Sequence, residues 1–197
     1  MPAKMIAMPT PQGRPPYDLD AIVDIAVQTF LERGYDSTSM DQLAHAASIR
    51  KPSLYYHVSS KEELLKLGVT RALNAAHAVF DEPGATEGPA FERLKYVLHR
   101  TCQTLGEHVA EAALMVRVRG NTDTEQWVLQ RRRELNVRVE RLIEASIHDG
   151  QIHPRTDPRV AARLLLGMIT SAVDWYRPGG PLSPRELADQ LMLLIAH

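Results

Sequence analysis

The sequence predicts an all-α fold, on three observations. Apolar residues recur at helical spacing along nearly the whole chain, and the period-two alternation of a half-buried strand is almost absent. The periodic stretches are bounded by capping residues at their starts and by Gly or Pro at their ends. About nine helices are expected.

The first helix is expected from Leu19 to Arg33, with Asp18 as N-cap and Gly34 as its stop. Ile22, Val23, Ala26, Val27, Phe30 and Leu31 give it one wide apolar stripe. Thr38-Ser39-Met40-Asp41 reads as a capping box opening a short helix from Ser39 to Ala46. A tight turn follows at Ala47-Ser48-Ile49. The next short helix runs from Lys51 to His57, with Pro52 in the first turn, where a missing N–H costs nothing. Ser60-Lys61-Glu62-Glu63 is a second capping box, and its helix reaches about Phe80. Residues 81–89 read as a loop by composition. Helices are then expected over Ala90–Gly106, His108–Val118 and, past the Gly120-Asn121 break, Asp123–His148. Asp157-Pro158 opens a helix of about 18 residues. Arg177-Pro178-Gly179-Gly180-Pro181 is a hard break, and Ser183-Pro184-Arg185-Glu186 caps the last helix, to about Ala196.

The 197 residues are 44% hydrophobic and 24% charged, an ordinary globular balance that excludes disorder for most of the chain. Residues 1–17 are rich in Pro and small residues and read as a flexible tail, without the apolar core of a signal peptide. No apolar run has the roughly 18–20 residues of a membrane span. The single cysteine, Cys102, excludes an internal disulfide and a multi-Cys zinc site, so a reducing, cytoplasmic setting is expected. Net charge is −1, and over residues 1–61 acids and bases are equal in number. Their order is uneven, however. Acids dominate before residue 42, and Arg50, Lys51 and Lys61 fall together after it, enough for a local basic surface if the acids point away.

Two short helices joined by a tight turn and preceded by one helix describe a three-helix helix-turn-helix. Its demands are specific. Leu43 and Ala47 must face inward, Ala44 must be small where the helices nearly touch, and Ile49 and Leu54 must bury the turn and the second helix. That helix is then free to present Lys51, Ser53, Tyr55, Tyr56 and His57, with Pro52 among them, to a DNA groove.

At these residues the chain resembles the TetR/AcrR family. The resemblance rests on Gly34-Tyr35, Thr38-Ser39-Met40, Leu43-Ala44, Lys51-Pro52-Ser53-Leu54-Tyr55-Tyr56-His57-Val58 and Lys61-Glu62-Glu63-Leu64, and it covers residues 19–66 in order. It implies that Thr38 and Ser39 contact phosphate, that Lys51, Ser53 and Tyr55 enter a groove, that Tyr56 and His57 meet phosphate or a thymine methyl, and that Lys61 anchors the DNA backbone. Two positions depart from the family pattern. Ser48 stands where Gly is usual, and a left-handed residue there costs about 1–2 kcal/mol without Gly. Arg50 stands where a capping Ser is frequent; it cannot cap but can reach DNA.

The resemblance divides the chain into residues 18–62 for DNA binding and 63–197 for effector binding and dimerisation. The helix after Asp157 and the last helix both carry wide apolar stripes, one side for the protein's own core and the other for a symmetry mate. Arg117, Arg119, Arg131, Arg132, Arg133 and Arg138 concentrate guanidinium groups in the intervening helices; most read as solvated surface, and some could hold an anionic head group or phosphates. An effector site is expected among these helices, with Val97, Leu98, Cys102, Leu105, Leu114, Met115, Val118, Arg119, Trp127, Arg131, Met168 and Trp175 as candidate walls. For each of them, plain core is the competing reading. Val116-Arg117-Val118-Arg119-Gly120-Asn121 and Asp174-Trp175-Tyr176-Arg177-Pro178-Gly179-Gly180 resemble the TetR subgroup that senses acyl-CoA thioesters, which implies an apolar tail among the helices and phosphates near arginine. The implied partners are palindromic operator DNA, a small-molecule effector and a second copy of the chain, with no membrane.

The chain has no nucleophile elbow, phosphate-binding Gly-rich loop or dinucleotide fingerprint, so an enzyme is not expected. The eight histidines are scattered without metal-ligand spacing, and no metal or cofactor is expected. A protein-binding helical module fits less well, because an exposed Lys-Pro-Ser-x-Tyr-Tyr-His surface suits phosphates.

Overall fold

The computed structural model describes residues 18–195. The expected tail, residues 1–17, lies outside the described residues, as does Ala196, the expected end of the last helix. Among the described residues there is no strand. The helices are α1 (Leu19–Arg33), α2 (Met40–Ala46), α3 (Lys51–His57), α4 (Lys61–Ala78), α5 (Pro83–Thr86), α6 (Ala90–Glu107), α7 (Val109–Arg117), α8 (Asp123–His148), α9 (Pro158–Trp175) and α10 (Pro184–Ile195), with a 3-10 turn at Val79–Asp81. None of them is long and apolar enough to cross a membrane.

Local chemistry accounts for most of the ends. The Asp18 carboxylate accepts from the Ala21 N–H at 2.9 Å and starts α1. Gly34, at φ 84°, stops it while donating its N–H to the Phe30 carbonyl. The capping box of α2 lies one residue later than expected. Ser39 and Gln42 exchange the two bonds, because the Thr38 hydroxyl is already committed to the Gly34 carbonyl at 2.7 Å. At α4, Ser60 caps the Glu63 N–H, but the Glu63 carboxylate turns back to the N–H and hydroxyl of Ser59. Ser183 and Glu186 form the reciprocal pair at α10. Among the described residues ten helices stand where about nine were expected. The extra one is the four-residue α5, a single turn inside the segment expected to be loop, with Pro83 at its start and Glu87 N–H closing on the Pro83 carbonyl. Helix α4 stops at Ala78 and tightens into the 3-10 turn, two residues short of Phe80.

The α2–α3 turn is a Schellman motif. The Ile49 N–H reaches the Ala44 carbonyl at 3.0 Å and the Ser48 N–H reaches the His45 carbonyl at 2.9 Å. Ser48 takes the left-handed position with φ 54°, a conformation that favours glycine.

Two apolar cores follow. In the first, Ile22, Val23, Ala26, Val27 and Phe30 of α1 pack on Leu43, Ala44, Leu54 and Val58, with Leu64, Leu65, Val69 and Leu73 of α4 beneath them. This core extends past the helix-turn-helix to Leu114 and Met115 of α7 and Val128 of α8. At Gly68 a Cβ would come within 2.6 Å of Val27, so α1 and α4 cross there without room for a side chain. In the second core, Val97, Leu98 and Cys102 of α6 pack with Val139 and Ile143 of α8, Ile169 of α9 and Ala188 of α10. Helix α4 takes part in the first core and its far end reaches the second, so it is the mechanical link between them.

Candidate nucleic-acid interface and effector cavity

Helix α3 is anchored from below and presented above. Leu54 is fully buried at 0% exposure and Val58 closes the end of the helix, while Lys51, Pro52, Ser53, Tyr55 and Tyr56 are exposed and His57 is half-buried. Tyr56 is 86% exposed, its ring edge-on to His57 at 5.5 Å. A large aromatic ring held in water adds no core energy, and with Tyr55 beside it the helix presents two aromatic rings to solvent. Arg50 ends the turn with no side-chain cap bond and stands exposed at the N-terminus of α3. Ser39 is exposed; its oxygen accepts from Gln42 N–H at 3.3 Å and its own hydroxyl proton stays available for a phosphate. The ammonium of Lys51 is held by the Asp41 carboxylate at 2.8 Å, and that bond raises the Lys51 pKa.

Thr38 and Lys61 stand apart from this exposed set. Thr38 is 2% exposed and its hydroxyl donor is spent on Gly34. Lys61 Nζ donates to the carbonyls of Tyr35, Asp36 and Thr38 at 3.0, 3.3 and 3.1 Å and lies 4.5 Å from the Tyr35 ring centre. A cation at a helix N-terminus opposes the helix dipole, and these three carbonyls offset that cost. Lys61 therefore braces the α1–α2 loop from the start of α4. Burial, followed by the charges of Glu62, Glu125 and Asp36, pushes the Tyr35 hydroxyl up to about 12.

The second region is a cavity of about 270 Å³ walled by α4, α6, α7, α8 and α9. The α4 wall is Ala72 and Ala76, small residues that leave the helix backbone close to the cavity. Leu105, Met115, Leu135 and Ile169 make it largely apolar, and it reaches the surface at Arg163 and Gly167 of α9. Of the wall residues expected from sequence, Leu105 and Met115 line this cavity. Leu98 and Cys102 are packed core at 1% and 2% exposure, and burial pushes the Cys102 thiol up to about 11. Met168 and Trp175 face outward at 41% and 55% exposure, because their side of α9 is turned away from α6 and α8. Trp127 packs on the first core, with the Lys66 ammonium 5.6 Å from its ring centre. Arg131 is paired with Glu134 at 3.0 Å, and Arg119 is exposed beside the α7–α8 turn.

Sequence reasoning named Arg132 only as one of six arginines flanking the effector region and missed that it faces the cavity, a fact whose signal was helical phase. Leu135 and Val139 follow it at three and seven residues, so a charge sits on the inward stripe of α8. It also missed Glu125, 5% exposed, whose carboxylate accepts the N–H groups of Arg119, Gly120 and Asn121 at 3.0, 2.7 and 2.9 Å. Burial pushes that carboxyl up and the three donors outweigh it, leaving the group below its ordinary range. The signal here was Thr122-Asp123-Thr124-Glu125, a Thr three residues before Glu at the start of α8.

Residues 22–67 match the profile of bacterial regulatory proteins of the tetR family, and residues 87–197 match that of the tetracyclin repressor-like C-terminal domain. The chain belongs to the TetR family. A TetR-family regulator from Streptomyces coelicolor, SCO3833, is 44% identical, with 92% of this chain and 90% of that one covered and a TM-score of 0.84. The transcriptional repressor KstR2 of Rhodococcus jostii is 28% identical over 179 residues, covering 88% of this chain and 87% of its own. AibR, solved in complex with isovaleryl coenzyme A and operator DNA, shares the fold at 23% identity and a TM-score of 0.73, covering 89% of this chain and 96% of that one.

In this TetR-family chain the outward faces of α9 and α10 are apolar. Val160, Leu164, Met168 and Trp175 are 41–64% exposed along one side of α9, and Leu193 and Leu194 are exposed on α10. The opposite side of α10, Leu187, Ala188 and Leu191, is buried in the second core. Each helix thus has one face in its own core and one left uncovered.

Proposed function

We propose that this protein is a transcriptional repressor that holds a palindromic operator as a homodimer and releases it when a small hydrophobic, anionic metabolite, such as an acyl-CoA, enters the C-terminal cavity. Residues 18–62 bind DNA and residues 63–197 bind the effector and pair the subunits. Ser39, Arg50, Lys51, Pro52, Ser53, Tyr55, Tyr56 and His57 meet the DNA, and Thr38 and Lys61 act beneath them by holding the loop in place. The uncovered faces of α9 and α10 pair with their copies in a four-helix interface. The setting is the cytoplasm, where operator DNA lies, and the chain performs no catalysis.

The observation that carries this reading is the exposure of Tyr55 and Tyr56 directly above a fully buried Leu54, on the short helix that follows the Ser48 turn. The effector acts through α4. That helix starts beside the DNA-binding surface at Lys61 and carries Ala72 and Ala76 on the cavity wall, so a ligand that moves it resets the separation of the two recognition helices. The cavity has about the size of one acyl group, so only part of a coenzyme A thioester enters it and the rest lies outside, toward Arg163. Fluorescence-anisotropy titration on DNA from the gene's own upstream region, with a panel of acyl-CoAs, tests the reading. Tight, salt-sensitive binding that Tyr55→Ala weakens and one acyl-CoA reverses is expected. Tight binding by Tyr55→Ala overturns the placement of the recognition helix.

A further inference from the structure

We propose that the cavity is built for an anion: the effector is an amphiphile whose carboxylate or phosphate enters it and pairs with the Arg132 guanidinium, beside the Thr101 hydroxyl. This rests on the effector reading above and assigns the place of the ligand's negative charge within the cavity.

Arg132 lines the cavity half-buried, and among the described residues its side chain makes no hydrogen bond and no ion pair. Its neighbours on α8 behave differently. Arg131 pairs with Glu134 at 3.0 Å, and Arg138 pairs with Asp81 at 2.9 Å while stacking on Phe80. Burial alone lowers the Arg132 pKa, with no opposing partner. A desolvated cation without an anion is costly and persists only where something else requires it.

Thr101 faces the same cavity from α6. It is 9% exposed, and its Oγ is the buried side-chain polar atom without a partner among the described residues. Nothing in the fold explains that hydroxyl, because a Val of the same shape would fill its place with no unmet hydrogen bond. Two unpaired polar groups on two helices therefore converge on one space. The amide of Asn136, also on the wall, is already used on the Arg132 carbonyl at 2.9 Å, which fixes that turn of α8.

The sign of the ligand follows from the remaining walls. Arg132 and Arg163 line the cavity and no Asp or Glu does, so a cation finds no partner there and an anion finds two. Leu105, Met115, Leu135 and Ile169 cover the rest, which suits a hydrocarbon body attached to the charged group. Carboxylate and phosphate both accept the planar guanidinium fork, and a free acid and a coenzyme thioester are the two sources that offer them.

The test uses the full chain, Arg132→Met and Thr101→Val, with octanoate, octanamide, octanoyl-CoA and coenzyme A as probes. Circular dichroism checks that each variant is folded. Without any probe, both substitutions are expected to raise the thermal midpoint, by about 2–4 °C each, because each removes an unmet polar group. Calorimetric titration is expected to show octanoate binding the wild type more tightly than octanamide, with Arg132→Met weakening octanoate roughly 10- to 100-fold. If coenzyme A and octanoyl-CoA bind, lose affinity equally in Arg132→Met, and octanoate does not bind, the anion is the phosphate. A lowered midpoint in both variants makes these residues structural and overturns the proposal. Octanamide and octanoate binding alike, unchanged by Arg132→Met, overturns it too while leaving the effector cavity standing. No binding by any probe overturns both.

Discussion

The Glu62 carboxylate, in the first turn of α4, accepts a hydrogen bond from the backbone N–H of Thr124, in the first turn of α8, at 3.1 Å. That bond lowers the Glu62 pKa and joins the start of α4, the helix that follows the helix-turn-helix, to the start of α8, the longest helix. Arg117 adds a second tie, from the end of α7 to the Leu31 carbonyl of α1 at 3.1 Å. Glu62→Ala removes an acceptor from a partly exposed site, so global stability changes little. The orientation of α4 is no longer pinned, and operator affinity is expected to fall about three- to tenfold. Anisotropy titration beside a urea melt separates the two effects. A large loss of stability with unchanged affinity per folded molecule would contradict this.

Asp41 holds Lys51 where a phosphate would compete for it. Asp41→Asn frees the ammonium and removes a negative charge from the DNA-facing side. Operator binding is expected to tighten about three- to tenfold at low salt, with the gain fading as salt rises. Weaker binding would mean that the pair orients Lys51 for DNA.

Ser48 at φ 54° carries a backbone cost that glycine does not. Ser48→Gly is expected to stabilise the chain by about 0.5–1.5 kcal/mol, read as a higher urea midpoint at constant slope. An unchanged or lower midpoint would show that the Ser hydroxyl offsets the strain.

Glu125 ties down the α7–α8 turn with one ionised oxygen. Its folded pKa lies below the ordinary value, so its contribution is present above about pH 4.3 and is lost as pH falls through the folded pKa. Glu125→Gln is expected to cost about 1–3 kcal/mol at neutral pH and progressively less as the solution is acidified, because the wild type loses its carboxylate too. A deficit that stays constant from pH 7 to pH 3 would remove the charge from the account.

Leu164, 64% exposed, is the centre of the uncovered face of α9. Leu164→Glu is expected to shift the protein from dimer to monomer in sedimentation and to lower operator affinity by about 100-fold, since two half-sites are then no longer read together. A Leu164→Glu dimer that binds as before would place the subunit interface elsewhere.

Much of this was legible in the chain because the informative signals were local. Asp18 and Gly34 bound α1, Pro52 sits where a helix tolerates it, and Asp123–His148 runs between a cap and Gly150. The α2 cap was read one residue early because Thr38 and Ser39 are both competent caps, and the Gly34 carbonyl, four residues before Thr38, takes the Thr38 hydroxyl and leaves the cap to Ser39. The cavity walls were read less well. Apolar residues such as Leu98 and Met168 have the same composition whether they fill a core, line a hole or face a partner, and the difference is a matter of rotation about a helix axis.

The sequence by itself determined every described helix except the single turn α5, most of their caps, the exposed face of α3 and the family. These depend on contacts within a few residues, or on an ordered motif that short-range geometry makes specific. The tertiary structure alone decided that Lys61 turns inward to three carbonyls, that Glu62 reaches Thr124, and that Arg132 and Thr101 share a space with no partner. Those facts depend on which faces five helices turn toward one another. That choice minimises exposed apolar area over the whole fold, and no window of the chain carries it.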